Sequence, residues 1–323
     1  MTIRKTIAFI LIISAVIIVG CWVFDKNTSS GTIYRSDEDK TAILAQYGER
    51  MGSWPVPYEE KSVETTYGKA VVVICGPADA PPVILLPAYG MTSASWAGNV
   101  AELSGKYRIY IINSPGEDGL GELSGKAGYP EESEQVAGLY SEIMDSLRIE
   151  RAVIVGASGG GYTALSLAIH APGRVSALAL LAPLGLRPLN GKTLLMNKLN
   201  ARFSIAPLRD NMVEDFLGDD PVIKENWHPW LKLVLKGTRP AAASPKEFSR
   251  EQLQSLKIPV LLFLGTRDPI VGKIEYAQRV AQRIPGLRLR IYESGHMPGL
   301  EKPREVNREL NSFIDRNSDI DPF

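Results

Sequence analysis

The chain has 323 residues, of which 45% are apolar and 22% charged, and this composition excludes a disordered, collagen-like or low-complexity protein. Lys and Arg together number 36, as do Asp and Glu, so no net positive field attracts nucleic acid. Two cysteines cannot form a disulfide framework, and three histidines without metal-ligand spacing predict no metal site. The length allows one or two domains.

The first 24 residues differ in composition from the rest and predict a targeting segment. Arg4 and Lys5 precede an unbroken apolar run over residues 6–20, which is the cationic start and apolar centre of a secretory signal. Residues 18–21, Ile-Val-Gly-Cys, resemble the lipobox of bacterial lipoproteins, and this resemblance implies that Cys21 is lipidated and becomes the mature N-terminus. An uncleaved anchor over residues 6–24, about the length that spans a bilayer, and ordinary secretion are the alternatives.

Both membrane-bound forms place the bulk of the chain outside a bacterial cell, because positive charge stays on the cytoplasmic side. We therefore expect an outward-facing protein held at the cell membrane by its N-terminus. Residues 25–60 are expected to be a tether and leading segment, since the small polar residues at 25–33 are typical of a flexible linker. The pattern indicates no oligomeric state and no protein partner.

Residues 61–318 carry the pattern of an α/β domain. Residues 62–67 and 69–75 flank a Tyr-Gly pair and predict a β-hairpin. Amphipathic stretches, clearest at 136–147, separate further apolar runs. Strands that alternate with helices predict a mostly parallel sheet with helices on both faces. The runs that predict buried strands are 83–86, 108–112, 152–155, 177–181, 260–264 and 287–292.

One interval interrupts this alternation. Residues 184–257 contain no strand signal, but they carry apolar side chains in helix-like contexts between prolines. We expect this interval to form a helical cap over the carboxyl edge of the sheet.

The sharpest chemical signal is the strand that runs into Gly156-Ala157-Ser158-Gly159-Gly160. It fits G-x-S-x-G, in which a serine on a tight strand-to-helix turn presents its hydroxyl as a nucleophile. Glycines are needed there because neighbouring backbone comes close. The alternative is an ordinary glycine-rich turn with a bystander serine.

The same segment also fits a dinucleotide-binding pattern, because residues 159–164 read G-x-G-x-x-A after a strand. That site needs an acidic residue near the end of the next strand, and residues 177–185 contain none. A phosphate-binding loop fails as well, since no Gly-Lys pair has a glycine five positions before its own glycine. We expect no nucleotide cofactor.

A nucleophilic serine on such a turn needs an acid and then a histidine later in the chain. Asp268 lies just past the strand at 260–264, and His296 lies just past the strand at 287–292. In this arrangement His296 takes the serine proton, while Asp268 fixes the histidine tautomer and stabilises the imidazolium.

Three other side chains compete for these roles. His170 lies within the helix that follows the serine, and His228 lies in the cap, so neither follows a core strand. Glu293 precedes His296 by three residues, a position that favours a solvated side chain over the triad acid.

Acyl transfer also requires donors for the developing oxyanion, normally two backbone N–H groups. Gly159 supplies one of them by its position after the serine. The second should come from the loop after the strand at 83–86, and we assign it to Tyr89.

These motifs together resemble α/β-hydrolases, and within that superfamily the bacterial serine carboxylesterases. The resemblance covers about residues 60–316, and residues 54–59 also resemble the leading segment of that esterase branch. It implies an eight-stranded sheet, a Ser-Asp-His triad, no cofactor, and a cap that shapes the acyl pocket. A serine at 158 argues against the dehalogenase and epoxide-hydrolase branches, which use a carboxylate there.

Two positions depart from the family pattern. Pro87-Ala88 stand where His-Gly is usual, so the oxyanion loop must reach its conformation without that glycine. Asn113 stands where the family usually has Asp, a difference that we interpret as structural.

The expected function is hydrolysis of small to medium acyl esters through an acyl-enzyme on Ser158. Thioesterases, lactonases, peptidases and cofactor-free haloperoxidases share the triad, so motifs do not separate them. A non-catalytic binding protein on the same fold is the other class, and only the altered oxyanion loop favours it.

Overall fold

The computed structural model describes residues 32–117, 119–124, 128–187, 199–200, 203–239 and 245–318. The predicted targeting segment at 1–24, with Cys21, and residues 25–31 of the predicted tether lie outside these ranges. Within the described ranges, no helix combines the length and apolarity that a membrane crossing requires.

A nine-stranded sheet forms the centre of the fold. Its main path runs β1-β2-β4-β3-β6-β7-β8-β9, and the two-residue β5 pairs with β2 beside it. β1 and β2 form the predicted antiparallel hairpin, β2 also lies antiparallel to β4, and every later pair on the path is parallel. The mostly parallel sheet is confirmed, with eight strands on its path and β5 added. The strands are β1 (Tyr58–Thr65), β2 (Gly68–Cys75), β3 (Pro82–Leu86), β4 (Arg108–Asn113), β5 (Glu122–Leu123), β6 (Ala152–Ala157), β7 (Val175–Leu181), β8 (Val260–Gly265) and β9 (Arg288–Tyr292).

Helices cover both faces of the sheet. One core cluster packs α1, α2 and α10 on the first face, and a second packs α3, α4 and α8 on the other. The strands β6, β7 and β8 are buried along their whole length, as continuous apolar runs require. Helices wholly within the described residues are α1 (Asp37–Gly52), α2 (Ala97–Leu103), α3 (Ser133–Ser146), α4 (Gly159–His170), α5 (Ala206–Leu217), α6 (Pro221–Gly237), α7 (Arg250–Gln254), α8 (Ile274–Ala281), α9 (Pro298–Glu301) and α10 (Pro303–Asp315).

The described part of the predicted cap, between β7 and β8, is helical. Helices α5 and α6 pack together, and no described residue of this interval belongs to a strand of the sheet. Proline occupies the first turn of both helices, where its missing N–H costs nothing. Asp220 caps α6 by accepting hydrogen bonds from the backbone N–H groups of Val222 and Ile223.

The predicted tether and leading segment requires a correction. Ile33, which the linker pattern included, is buried, and its carbonyl accepts a hydrogen bond of 2.7 Å from the Arg239 N–H just past α6. Helix α1 then begins after Ser36, whose hydroxyl accepts from the backbone N–H of Asp39. The cap serine and three acidic residues in the first turn are a helix-start signal that our sequence interpretation missed. Segment 33–52 therefore packs on the cap instead of acting as a tether.

Candidate active site

Ser158 lies at the junction of β6 and α4, on a strained turn. Its φ of 48° and ψ of −112° are in a region that side-chain-bearing residues rarely occupy. The surrounding backbone holds it there, because Ser158 N–H donates to the Leu181 carbonyl at 2.9 Å and the Ser158 carbonyl accepts from Gly161 N–H at 2.9 Å. The turn has the form that presents a nucleophilic hydroxyl above the sheet edge.

Gly160, two residues after Ser158, has the mechanical role that the motif predicts. A Cβ atom on Gly160 would lie 2.3 Å from the Leu86 carbonyl oxygen and 2.4 Å from the Pro87 carbonyl oxygen. Both obstacles are backbone, so no side chain could move aside. A side chain at 160 would force the elbow away from the end of β3.

The structure brings the predicted serine, histidine and aspartate into one hydrogen-bonded chain. His296 Nε2 lies 2.7 Å from Ser158 Oγ, and His296 Nδ1 lies 2.7 Å from Asp268 Oδ2. All three residues are buried: Ser158 is 3% exposed, His296 1% and Asp268 4%. These distances suit proton transfer, and burial excludes competing water.

Asp268 remains an anion in this buried position. Burial by itself raises the pKa of its carboxyl, but the electrostatic interaction with the His296 imidazole and hydrogen bonds from His296, Val271 N–H and Ile270 N–H outweigh burial and lower the pKa below its usual value. An ionised acceptor at Nδ1 holds the imidazole proton there. His296 Nε2 is then free to accept the Ser158 hydroxyl proton.

The competing side chains lie elsewhere. His170 Nε2 is 2.9 Å from Ser133 Oγ at the far end of α4, and His228 Nε2 is 3.2 Å from Glu214 in the cap. Glu293 is exposed and pairs with Arg267 at 3.0 Å. None of the three contacts the serine–histidine pair.

Two residues that sequence reasoning did not assign to the site hold His296 in place. Both carboxylate oxygens of Glu301 accept from Gly295 N–H, at 2.8 and 2.9 Å, which fixes the loop just before His296. Phe216, from cap helix α5, packs edge-on against the imidazole with ring centroids 5.5 Å apart. Phe216 carries no local signal because it acts on a residue 80 positions away in the chain, whereas Glu301 lies only six residues from Gly295.

The structure brings the residues of the two predicted oxyanion donors next to each other. Gly159 is the first residue of α4, where a backbone N–H has no acceptor within the helix. A Cβ atom on Gly159 would lie 2.3 Å from Tyr89 Cδ1, so the loop after β3 lies directly against the start of α4. Tyr89 and Gly159 are therefore neighbours, and the use of their backbone N–H groups as oxyanion donors stays a prediction.

A tight turn shapes that loop in spite of its Pro-Ala pair. The Ala88 carbonyl accepts from Met91 N–H at 2.9 Å, and Gly90 between them has φ +77°. Only glycine adopts this conformation freely. Gly90 therefore supplies the positive-φ residue of this loop, a role that our sequence analysis did not identify.

Asn113 has the structural role that the sequence predicts. It is fully buried, its Oδ1 accepts from Ser93 N–H at 2.7 Å, and its Nδ2 donates to the Val71 carbonyl at 3.0 Å. The amide thus ties the far end of the oxyanion loop to β2. An aspartate could not make the second bond, because an ionised carboxylate has no donor.

The remaining candidates for other chemistry are inert. Burial raises the pKa of the Cys75 thiol to about 11, so a thiolate does not form at neutral pH. In the described part of the chain, no three His, Cys, Asp or Glu side chains are grouped to hold a metal ion. A cavity of about 20 Å³ borders His296 and is lined mainly by apolar groups such as Trp96, Leu181 and Met297.

Comparison with known proteins identifies the family. Residues 83–309 match the sequence profile of the alpha/beta hydrolase family. The chain belongs to this family. The uncharacterized carboxylesterase nap of Bacillus subtilis (strain 168) is 26% identical over 307 residues, which cover 91% of this chain and 99% of that protein. The crystal structure of carboxylesterase CesB (YbfK) from Bacillus subtilis matches with a TM-score of 0.75 at 25% identity, covering 86% of this α/β-hydrolase and 98% of that chain.

Other relatives of this α/β-hydrolase have different names. The 2-hydroxy-6-oxo-6-phenylhexa-2,4-dienoate hydrolase of Comamonas testosteroni is 30% identical over 256 residues, which cover 72% of this chain and 87% of that protein. The predicted resemblance to carboxylesterase-like α/β-hydrolases is confirmed.

Proposed function

We propose that this α/β-hydrolase is a serine carboxylesterase that cleaves small to medium acyl esters through an acyl-enzyme on Ser158. The observation that carries the proposal is the buried chain from Ser158 through His296 to Asp268, with both hydrogen bonds at 2.7 Å. An intact chain of this kind supports an enzyme over a non-catalytic binding protein. The carboxylesterase relatives support the ester as substrate.

In the proposed reaction, His296 removes the Ser158 proton as Oγ attacks the ester carbonyl carbon. The tetrahedral oxyanion accepts hydrogen bonds from the backbone N–H groups of Gly159 and Tyr89, each contributing about 3 kcal/mol in the transition state. Collapse breaks the bond to the alkoxy group, which leaves with the proton from His296. Water then repeats the sequence on the acyl-enzyme, releasing the carboxylic acid and restoring Ser158.

The side chains around the triad support a substrate with an uncharged acyl chain. Phe216 lies against the His296 ring, and a Leu231 methyl lies 3.5 Å from where a Cβ atom on Gly90 would be. Both side chains come from the cap and are apolar, so a charged acyl group would lose its hydration without a partner there.

Lactonase activity is the second candidate, because the same triad opens a cyclic ester. The 3-oxoadipate enol-lactonase 2 of Acinetobacter baylyi is 25% identical over 252 residues, or 75% of this chain. Thioesterase and peptidase activity use the same steps with other leaving groups.

Turnover of p-nitrophenyl esters of graded acyl length by the full chain in detergent tests the proposal. We expect hydrolysis of the short and medium esters, together with inactivation by a fluorophosphonate that forms one adduct. Matched thioesters, lactones and peptide amides serve as comparison substrates. A rate for lactones above that for every ester would show that the protein is a lactonase and not an esterase. Absence of all turnover would contradict the proposal that it is an enzyme.

The proposed orientation of Asp268 predicts a large effect of Asp268→Asn. We expect turnover to fall roughly 10³- to 10⁴-fold, because an amide no longer holds the imidazole proton on Nδ1. Steady-state kinetics on the best ester and a thermal unfolding curve measure activity and folding together. Glu293→Gln is the matched control, since its carboxylate is exposed; a damaging Glu293→Gln with a harmless Asp268→Asn would show that the acid is misassigned.

We further propose that the enzyme is held at the outer face of a bacterial cell membrane by residues 1–24. Arg4, Lys5 and the apolar run over residues 6–20 support an N-terminal targeting segment. The sequence around Cys21 supports lipidation, with an uncleaved span over residues 6–24 as the alternative.

Cys21→Ser separates these two forms of anchor. If Cys21 is the lipidation site, the variant should remain uncleaved and carry no lipid, whereas the wild-type protein should lack residues 1–20 and carry several acyl chains. Intact-mass measurement of membrane-extracted protein reports both changes. A wild-type mass that begins at Met1 without added lipid would contradict the lipoprotein and leave the uncleaved span.

A further inference from the structure

The cap holds the oxyanion turn directly. Trp230, on cap helix α6, is 0% exposed, and its indole N–H donates to the Gly90 carbonyl over 2.9 Å. Gly90 adjoins Tyr89, whose backbone N–H is one of the two proposed oxyanion donors. Trp230 thus binds the centre of a turn that lies 140 residues away from it in the chain.

The turn needs such a restraint. Gly90 has φ +77°, and glycine moves between positive and negative φ at little cost. The turn also follows Pro87-Ala88, so it lacks the family's usual residues at its start. A hydrogen bond to the Gly90 carbonyl fixes the peptide plane after Gly90, and with it the orientation of the turn that carries the Tyr89 N–H. Because oxyanion donors act only when already aimed at the developing charge, this restraint affects rate more than binding.

Trp230 is itself held in place by helix α1. The Arg50 guanidinium lies 4.3 Å from the ring centroid of Trp227 and 5.7 Å from that of Trp230. Arg50 also donates a hydrogen bond to the Asn226 carbonyl of α6. Stacking and hydrogen bonding together fix the register of α6 against α1.

The same helix restrains the other end of the oxyanion loop. Tyr47 of α1 shares a hydrogen bond of 3.1 Å with the Ser93 hydroxyl, and Ser93 N–H in turn donates to Asn113. The loop is therefore held at both ends, by Trp230 at Gly90 and by Tyr47 and Asn113 at Ser93.

We propose that Trp230 is a positioning residue for the oxyanion hole: its indole N–H sets the Gly90 carbonyl and so aims the Tyr89 N–H at the tetrahedral intermediate. The inference rests on the proposed serine-hydrolase function. It assigns to the cap a part in transition-state stabilisation in addition to covering the site.

Trp230→Phe tests the inference, with Trp227→Phe as a matched control on the same helix. Both substitutions exchange an indole for a phenyl ring that stacks near Arg50, but only the first removes the donor to Gly90. The measurements are kcat and KM on the best p-nitrophenyl ester, and the inhibition constant of an alkyl trifluoromethyl ketone of the same chain length. This ketone forms a tetrahedral oxyanion with the serine, so its affinity reports the oxyanion hole.

We expect Trp230→Phe to lower kcat and ketone affinity about tenfold each, with KM changed less than twofold, since a misaimed donor loses part of its roughly 10²-fold effect. Trp227→Phe should have the same kcat, KM and ketone affinity as the wild-type enzyme. Replacing the Trp230 indole by benzothiophene, in which sulfur takes the place of N–H, keeps the volume and should reproduce the loss even if the phenylalanine variant folds poorly.

Unchanged kcat and ketone affinity in the benzothiophene protein would overturn the inference, as would an equal loss in Trp227→Phe. Failure of the proposed function looks different, because the wild-type protein itself would then neither turn over esters nor react with a fluorophosphonate.

Discussion

Ser158→Ala is expected to lower ester turnover roughly 10⁴- to 10⁶-fold while the fold remains intact. The substitution removes only Oγ, the atom that attacks the carbonyl carbon, and with it the 2.7 Å hydrogen bond to His296 Nε2. The turn at φ 48° is held by backbone hydrogen bonds that alanine also makes. Kinetics on p-nitrophenyl esters, the mass of the fluorophosphonate adduct and a thermal unfolding curve measure the three consequences.

Ser166→Ala is the matched control for this prediction. Ser166 lies on helix α4, which begins just after Ser158, and it is buried, but its hydroxyl donates to the Tyr162 carbonyl of the same helix at 2.8 Å. That variant should keep nearly full turnover and the adduct. If Ser158→Ala instead retained wild-type activity, or if the adduct formed on another residue, the nucleophile assignment would be wrong.

His296→Ala should lower turnover about as much as Ser158→Ala, because a serine hydroxyl without a base is a poor nucleophile at neutral pH. The imidazole acts twice, first removing the Ser158 proton and then protonating the leaving alkoxide. Its loss also leaves the buried Asp268 carboxylate without its partner, so we expect some loss of stability. Turnover and the rate of fluorophosphonate labelling should fall together, since both need an activated Ser158.

The other two histidines serve as controls for His296. His170 pairs with Ser133 at the protein surface, and His228 pairs with Glu214 in the cap, so neither reaches Ser158. His170→Ala and His228→Ala should each keep more than about half of the wild-type turnover, as surface substitutions away from a site do. A collapse of activity in either variant, with His296→Ala still active, would reassign the base.

The triad was predictable because local sequence encodes each of its parts. Strands β6 and β8 are short, buried apolar runs, and parallel strands end at a common edge. The expectation of a buried strand at 287–292 was wrong, because β9 is the last strand of the sheet and is partly exposed, but its position in the sheet was enough for the prediction. Glycines around Ser158 mark the tight turn, and Asp268 and His296 each follow a strand in the required order. Knowledge of the strand ends was therefore enough to place three distant side chains near one another.

Helix α1 was not predicted, although its start carries a serine cap and acidic residues. The small polar residues before it are typical of linkers, and they led us to predict a tether in place of a helix. What orders the segment is burial of Ile33 and Ile43 against the cap and pairing of Ile33 with Arg239. Ile33 and Arg239 lie 206 residues apart in the chain, so no sequence window contains them both.

The α/β fold, the elbow at Ser158 and the order of its acid and base could be predicted from the sequence, because each depends on periodicity or on residues a few positions apart. The restraint on the oxyanion loop is visible only in the folded chain, where Trp230 from the cap and Tyr47 from α1 bind it. Hydrogen bonds between distant segments depend on how helices pack, and packing reflects the summed contacts of many side chains. The sequence pattern around a tryptophan in an amphipathic helix is the same whether its indole N–H donates to solvent or to the Gly90 carbonyl.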